Sequence, residues 1–379
     1  MAAPVVARST LIHSGTLLDA NGERPGWVYV EDGTIVAIGT EHDEPPTAAR
    51  TIDASDRFLT PGFVDIHGHG GGGAHYQDGI DSAMTALAAM RAHGTTRAVA
   101  SFVTSSIDDI VDALSKTQQA MARDRGLVGV HIEGPFLAYG RHGAHHPGLL
   151  REPDRRSVDQ LLEAGPELVR QITLAPELPG AMDAIDRFVA AGVAVAVGHT
   201  ACDYQTAREA FARGASLVTH AFNAMAPIEG RSPGVLGAAI EADHVTIEVI
   251  ADGVHVHPAS IGLLFAAAPR RIALVTDAMA GAAAPPGHYQ LGCLDVEVAN
   301  GRALVAGTDT LAGSTLTPDR ALRVAVNTCG VSRTDAIAAL TTTPARAIDE
   351  RDPALLSVGA IADLVVLDED LTVAEVITG

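Results

Sequence analysis

The feature that most constrains this chain is a recurrence: short apolar runs that end on an ionisable side chain. Phe63-Val64-Asp65-Ile66 runs into His67 and His69, and residues 126–132 run into Glu133. Residues 193–198 lead to His199, 216–219 to His220, and 272–276 to Asp277. Further runs end near Val103, Glu177 and Asp252, and helical periodicity fills 82–93, 107–123, 182–191 and 204–213. Eight strands alternating with helices predict an α/β fold, a (β/α)8 TIM barrel. In such a barrel the carboxyl ends of the strands surround one axial pocket, so these terminal side chains converge there.

Along an extended strand, alternate side chains point the same way, so His67 and His69 face one point. Two neutral imidazoles aimed together begin a metal site that needs further ligands from elsewhere. Glu133, His199, His220 and Asp277 stand at equivalent strand ends and offer them. The glycines at 70–73 are expected to let backbone pass close to a bound group. His75, His142, His146, His244 and His288 fall in loops and read as solvated or locally bonded. Cys202 reads as a small buried side chain.

Both chain ends carry a different pattern. Trp27-Val28-Tyr29-Val30 and Ile35-Val36-Ala37-Ile38 flank Asp32-Gly33, a turn pair that tolerates positive φ and so marks a hairpin. Residues 51–53, 362–368 and 371–378 have the same strand character. The expectation is a small β-sandwich domain from residues 1–57 plus 353–379, around a barrel of residues 58–352. A second hairpin, signalled by Asn300-Gly301, is expected within an insertion at 287–307.

The 46 acidic residues against 26 basic ones give a formal charge of −20, which counts against nucleic acid and anionic membrane as partners. An anionic substrate would therefore need positive charge supplied locally. The three cysteines are odd in number and scattered, so no disulfide framework is expected. Met1-Ala2-Ala3-Pro4 lacks the basic-then-apolar pattern of a secretory signal, and no apolar run spans a bilayer. A cytoplasmic location is expected.

Several motifs then point to one family. They are Pro61-Gly-Phe-Val-Asp-Ile-His-Gly-His-Gly-Gly-Gly-Gly73, His131-Ile-Glu-Gly-Pro-Phe136, Gly143-Ala-His145, Gly198-His-Thr200, Thr219-His-Ala-Phe-Asn-Ala-Met225, Thr276-Asp-Ala-Met279 and Leu311-Ala-Gly-Ser314. In these the chain resembles the N-acetylglucosamine-6-phosphate deacetylases of the amidohydrolase superfamily. Glu-Gly-Pro-Phe and Phe-Asn-Ala-Met belong to that deacetylase family rather than to the superfamily. One departure is His75, where the family commonly has an aspartate.

The resemblance implies metal-dependent hydrolysis of the acetamide of N-acetyl-D-glucosamine 6-phosphate, giving the amine and acetate, in amino-sugar catabolism and cell-wall recycling. It implies that Glu133, His199 and His220 hold the principal divalent metal, and that His67 and His69, with Glu133 as a bridge, allow a second. One or two metals per subunit follow, and mixed nitrogen and oxygen ligands suit Zn²⁺ or Fe²⁺. Asp277 is implied as general base and then acid. His145, Asn223, Ala224 and His255 are implied at the phosphosugar, with Arg231 reaching in from the neighbouring subunit of a homodimer.

Lys116 is the single lysine of the chain. Many two-metal amidohydrolases bridge their metals through a carboxylated lysine at a strand end, whereas Lys116 falls in the middle of a helical segment. That argues against a dihydroorotase-like or hydantoinase-like enzyme. Two alternatives stay open: the same chemistry on the galactosamine epimer, and a catalytically inactive scaffold that binds sugar or protein.

Overall fold

The computed structural model describes residues 9–350, 352 and 354–379. The stretch Met1 to Pro4, the first residues of the terminal domain and the boundary at 353 lie outside the described residues. The chain opens with β1 (Ser9–Asp19), β2 (Gly22–Glu31), β3 (Thr34–Gly39) and β4 (Arg50–Pro61). Between β2 and β3, Asp32 and Gly33 have φ of 45° and 78°, the left-handed pair that a two-residue hairpin turn needs.

The first barrel strand, β5 (Phe63–Gly68), follows β4 almost directly, and a small hairpin of β6 (Gly70–Gly71) and β7 (Ala74–His75) comes next. Then α1 (Ile80–Arg91) leads to β8 (Thr95–Phe102), α2 (Ile107–Met121) to β9 (Leu127–Glu133), and α3 (Arg155–Ala164) to β10 (Val169–Leu174). After them α4 (Ala181–Ala190) leads to β11 (Ala194–Val197), and α5 (Tyr204–Ala212) to β12 (Leu217–Val218). Finally α6 (Gly234–Glu241) leads to β13 (Thr246–Ile250), and α7 (Pro258–Ala267) to β14 (Ile272–Val275). Ser106, Asp154 and Asp203 open α2, α3 and α5, each side chain accepting from a backbone N–H three residues on, which satisfies an otherwise orphaned donor.

The eight strands pair in the order β14-β13-β12-β11-β10-β9-β8-β5. Every pair is parallel. The two edges meet where Asp277 N donates to the His67 carbonyl at 2.7 Å. Helices cover the outside and side chains fill the inside, so the strands are buried on both faces. This is why they read as continuous apolar runs rather than alternating ones. The barrel is a TIM barrel, as expected.

An inserted hairpin sheet follows, of β15 (Gly287–Leu291), β16 (Leu294–Ala299) and β17 (Arg302–Val305), turning at Asn300 and Gly301 with φ of 51° and 72°. Helices α8 (Pro318–Asn327), α9 (Arg333–Leu340) and α10 (Thr342–Ala347) precede β18 (Leu364–Leu367) and β19 (Val373–Ile377). These last strands join the first four in a six-stranded sheet ordered β19-β18-β4-β1-β2-β3. A register shift between Ser14 and Leu17 bends β1, and Ile12, Leu17, Val28, Ile35, Leu59 and Val366 are buried together in the core of this small domain. Where it meets the barrel, the buried Asp363 carboxylate accepts from both guanidinium nitrogens of Arg125 (2.6 and 3.0 Å) and lies 3.5 Å from Arg97.

Candidate active site

Four of the expected site residues sit in backbone that side chains rarely adopt, among them Ala224 with φ of 50°. His199, His220 and Asp277 have φ of 47°, 25° and 47°. The two histidines and Asp277 each stand two residues beyond the end of their strand, where the chain turns off the barrel wall and aims the side chain over the axis. Such strain is of order 1–3 kcal/mol per residue and persists only where the surroundings fix it. Close approach underneath helps: a Cβ on Gly198 would come within 2.5 Å of Thr219 Cβ.

The side chains converge on Glu133. Its Oε1 lies 3.2 Å from both His199 Nε2 and His220 Nε2 and 3.4 Å from His67 Nε2. Its Oε2 lies 3.2 Å from His69 Nε2 and 3.5 Å from His145 Nε2. Asp277 Oδ1 is 3.2 Å from His69 Nε2 and 3.7 Å from His67 Nε2. All are buried. The pocket above them has a cavity volume of about 170 Å³ and is lined also by Asn223, Ala224, His255, Leu291 and Gly313.

Two sets of ring nitrogens separate cleanly. Three of the far nitrogens are tied down, His67 Nδ1 to Glu248 at 2.9 Å, His69 Nδ1 to the Ser101 carbonyl at 3.1 Å and His199 Nδ1 to the Arg141 carbonyl at 2.8 Å, whereas His220 Nδ1 is buried with no partner among the described residues. An imidazole whose Nδ1–H is donated outward turns a lone pair at Nε2 inward, the usual state of a metal-binding histidine. His67 Nε2 is buried with no hydrogen-bond partner among the described residues. The donor set therefore fits a divalent cation, Glu133 offering oxygen between the nitrogens of His199 and His220 on one side and of His67 and His69 on the other.

His145 behaves differently. Its Nδ1 accepts from the Thr104 backbone N–H at 3.3 Å, so the neutral ring carries its proton on Nε2. Although it lies close enough to Glu133 and His199 to count among possible ligands, this tautomer makes it a hydrogen-bond donor to the pocket instead. Burial pushes its pKa down to about 4 despite Glu133, so it stays neutral.

The remaining charges follow from crowding. Burial raises the Glu133 carboxyl, but His67 and His145 outweigh it and hold the group well below the usual range. Burial opposes charge on His69, yet Asp277 and Glu133 bring it up to about 9. Asp277 is resisted by burial but drawn down to about 2 by His69 and His67. His255 points Nδ1 at Asp252 (2.7 Å), which raises it against the effect of burial.

Arg231 is exposed on a loop closed by the Glu229–Ser232 bridge and does not line the pocket within one chain. The glycines at 70–73 also differ from expectation. They pack against backbone at 278–282, with Gly72 N donating to Ala282 O at 2.7 Å, and none lines the pocket above Glu133. His75 lies outside that pocket, its backbone bonded to Ser82. Cys202 is buried and free. Lys116 is half exposed on α2 and paired with Asp112 at 2.6 Å, far from any bridging role. Sequence reasoning missed Glu248 and His131, both fully buried beneath the site. A lone glutamate inside the apolar run of β13 was the readable signal for the first.

Comparison with known proteins agrees with this architecture. The amidohydrolase family matches residues 58–379. The chain belongs to the amidohydrolase family, whose members are metal-dependent hydrolases. It is 34% identical over 350 residues to a Danio rerio N-acetylglucosamine-6-phosphate deacetylase, covering 88% of this chain and 86% of the relative. It is 36% identical over 317 residues to an Escherichia coli N-acetylgalactosamine-6-phosphate deacetylase, covering 81% and 82%. A mutant N-acetyl-D-glucosamine-6-phosphate deacetylase from Mycobacterium smegmatis, solved in complex with N-acetyl-D-glucosamine-6-phosphate, superposes with a TM-score of 0.92 at 42% identity over 98% of both chains.

Proposed function

We propose that this enzyme hydrolyses the acetamide of N-acetyl-D-glucosamine 6-phosphate to D-glucosamine 6-phosphate and acetate. The observation that carries the reading is the convergence of five histidines on one buried carboxylate, Glu133, with Asp277 beside it, at the mouth of the barrel. The family membership and the relatives' activities supply the substrate class.

Glu133, His199 and His220 would hold the principal metal, with Zn²⁺ or Fe²⁺ the ions these donors suit, and His67 and His69 with Glu133 would offer a second position. A divalent ion bound there supplies Lewis acidity and lowers the pKa of water to about 7. Asp277, ionised in the cluster, accepts the proton of the attacking water and returns it to the departing amine. His145 donates from Nε2 to the acetyl oxygen as negative charge grows on it. His255, held by Asp252, presents its other nitrogen to the sugar phosphate beside Asn223 and the Ala224 backbone. Arg231 acts in a homodimer, where its loop reaches the phosphate of the neighbouring site and its guanidinium forks two oxygens. The reaction belongs in the cytoplasm, where phosphorylated sugars are retained.

The test is acetate release by metal-analysed protein from the phosphorylated sugar, its unphosphorylated form and the galactosamine epimer. Release confined to phosphorylated sugars and abolished by chelation supports the reading. Preference for the epimer, which is the activity of the Escherichia coli relative, would move the substrate and leave the chemistry. No release with metal bound would overturn it.

A further inference from the structure

Glu248 lies in the middle of β13, fully buried, and the chemistry above does not use it. Its Oε2 accepts from His67 Nδ1 at 2.9 Å and from the His220 backbone N–H at 3.3 Å. Its Oε1 accepts from Gln171 Nε2 at 2.6 Å. One carboxylate thus touches a side chain on one flank of Glu133 and the backbone of a ligand on the other. A buried carboxylate without such donors would be strongly unfavourable, so its presence here asks for a role.

We infer that Glu248 is the positioning residue that makes the second metal position, by fixing His67 as the Nδ1–H tautomer with its Nε2 lone pair facing Glu133. The inference rests on the metal-hydrolase reading and goes beyond it. Of the two histidines at that position, His69 is oriented by a backbone carbonyl, Ser101 O, which no side-chain change removes. His67 depends on Glu248 for its orientation. A carboxylate behind a ligating imidazole also raises its basicity, and losing such a partner typically weakens metal binding 10–100-fold. His199 is anchored by the Arg141 carbonyl instead. At the principal position Glu248 touches only the His220 backbone N–H, so the ligand ring whose orientation depends on Glu248 is that of His67, at the second position.

Glu248→Gln is a near-isosteric test. Gln171 Oε1 is buried with no partner among the described residues. With Gln171 Nε2 still donating to the carbonyl of the variant, the new side-chain amide faces His67 Nδ1 and removes the acceptor that fixes its tautomer. Packing is kept and the charge is lost. Calorimetric titration of metal-free protein with Zn²⁺, with metal counted per chain, should show two equivalents in the wild type. In Glu248→Gln the second equivalent should bind about 10–100-fold more weakly while the first is held. Two equivalents at wild-type affinity in the variant, or only one in the wild type, would overturn the inference.

Long-range ¹H–¹⁵N histidine spectra of the Zn²⁺-loaded wild type supply a readout that does not depend on the variant folding. They should report His67 protonated on Nδ1; a proton on Nε2 refutes the assignment. Acetate release measured on the same wild-type preparation separates failure of this inference from failure of the proposed function.

Discussion

His199 Nε2 and His220 Nε2 stand 3.0 Å apart, each 3.2 Å from the same oxygen of Glu133. Two ring nitrogens at that separation repel unless a proton or a cation lies between them. Removing metal should therefore destabilise the folded chain. At a metal concentration 100 times Kd, binding to the native state contributes about 2.7 kcal/mol. Chelation should lower the melting temperature and re-addition restore it, as scanning calorimetry would show. An unchanged melting temperature would mean that no ion occupies the cluster.

Metal uptake should weaken in acid. In the metal-free cluster His69 is raised to about 9, burial opposing and Asp277 and Glu133 prevailing. Below that value the ring is protonated, and its proton must leave before the nitrogen can bind. Each proton displaced lowers the apparent affinity about tenfold per pH unit. Titration at pH 6, 7 and 8 checks the slope; a flat profile would show that His69 is not a ligand.

Asp277→Asn should keep the metal and lose turnover. The amide has the same shape but cannot accept a proton, and general acid–base groups contribute typically 10²–10⁴-fold. Metal content and acetate release, measured together, decide this. Near-normal turnover would remove Asp277 from the proton path.

His145→Ala should lower kcat by roughly 10²–10³-fold, the usual effect of losing one donor to a developing oxyanion. Metal stoichiometry should hold, because the Thr104 N–H fixes this ring as a donor rather than a ligand. Loss of one metal equivalent in the variant would reverse that assignment.

His255 is raised by Asp252 against burial, so it is protonated below its raised pKa and neutral above. Phosphate binding should thus be strongest at the lower pH, with KM rising as pH passes the raised value. Asp252→Asn removes the cause and should bring that rise to lower pH. A KM profile identical in the two proteins would detach this pair from the phosphate.

Much of this was legible in the chain. The eight strand ends could be read because a doubly buried parallel strand is a continuous apolar run, and the run stops where the pocket starts. The hairpin turns at Asp32-Gly33 and Asn300-Gly301 were readable because few pairs accept positive φ at both positions. Glu248 showed only as a lone acid in an apolar run, because its meaning depends on His67 and Gln171, each far away in sequence. The clamp of Asp363 on Arg97 and Arg125 stayed hidden for the same reason. The use proposed for Arg231 needs a second copy of the chain, and the resemblance to a family, rather than any pattern of burial or spacing, pointed to it.

The pairing of β4 with β18, in which Pro61 faces Leu364, has a consequence for synthesis. Strand β4 leaves the ribosome early and its partner nearly last. Throughout translation of the barrel, one edge of the growing sheet stays open, a template for any extended segment nearby. A nascent chain stalled before residue 364 carries the complete histidine cluster and an unsealed edge. Premature termination should therefore be felt first as aggregation rather than as loss of the reactive centre.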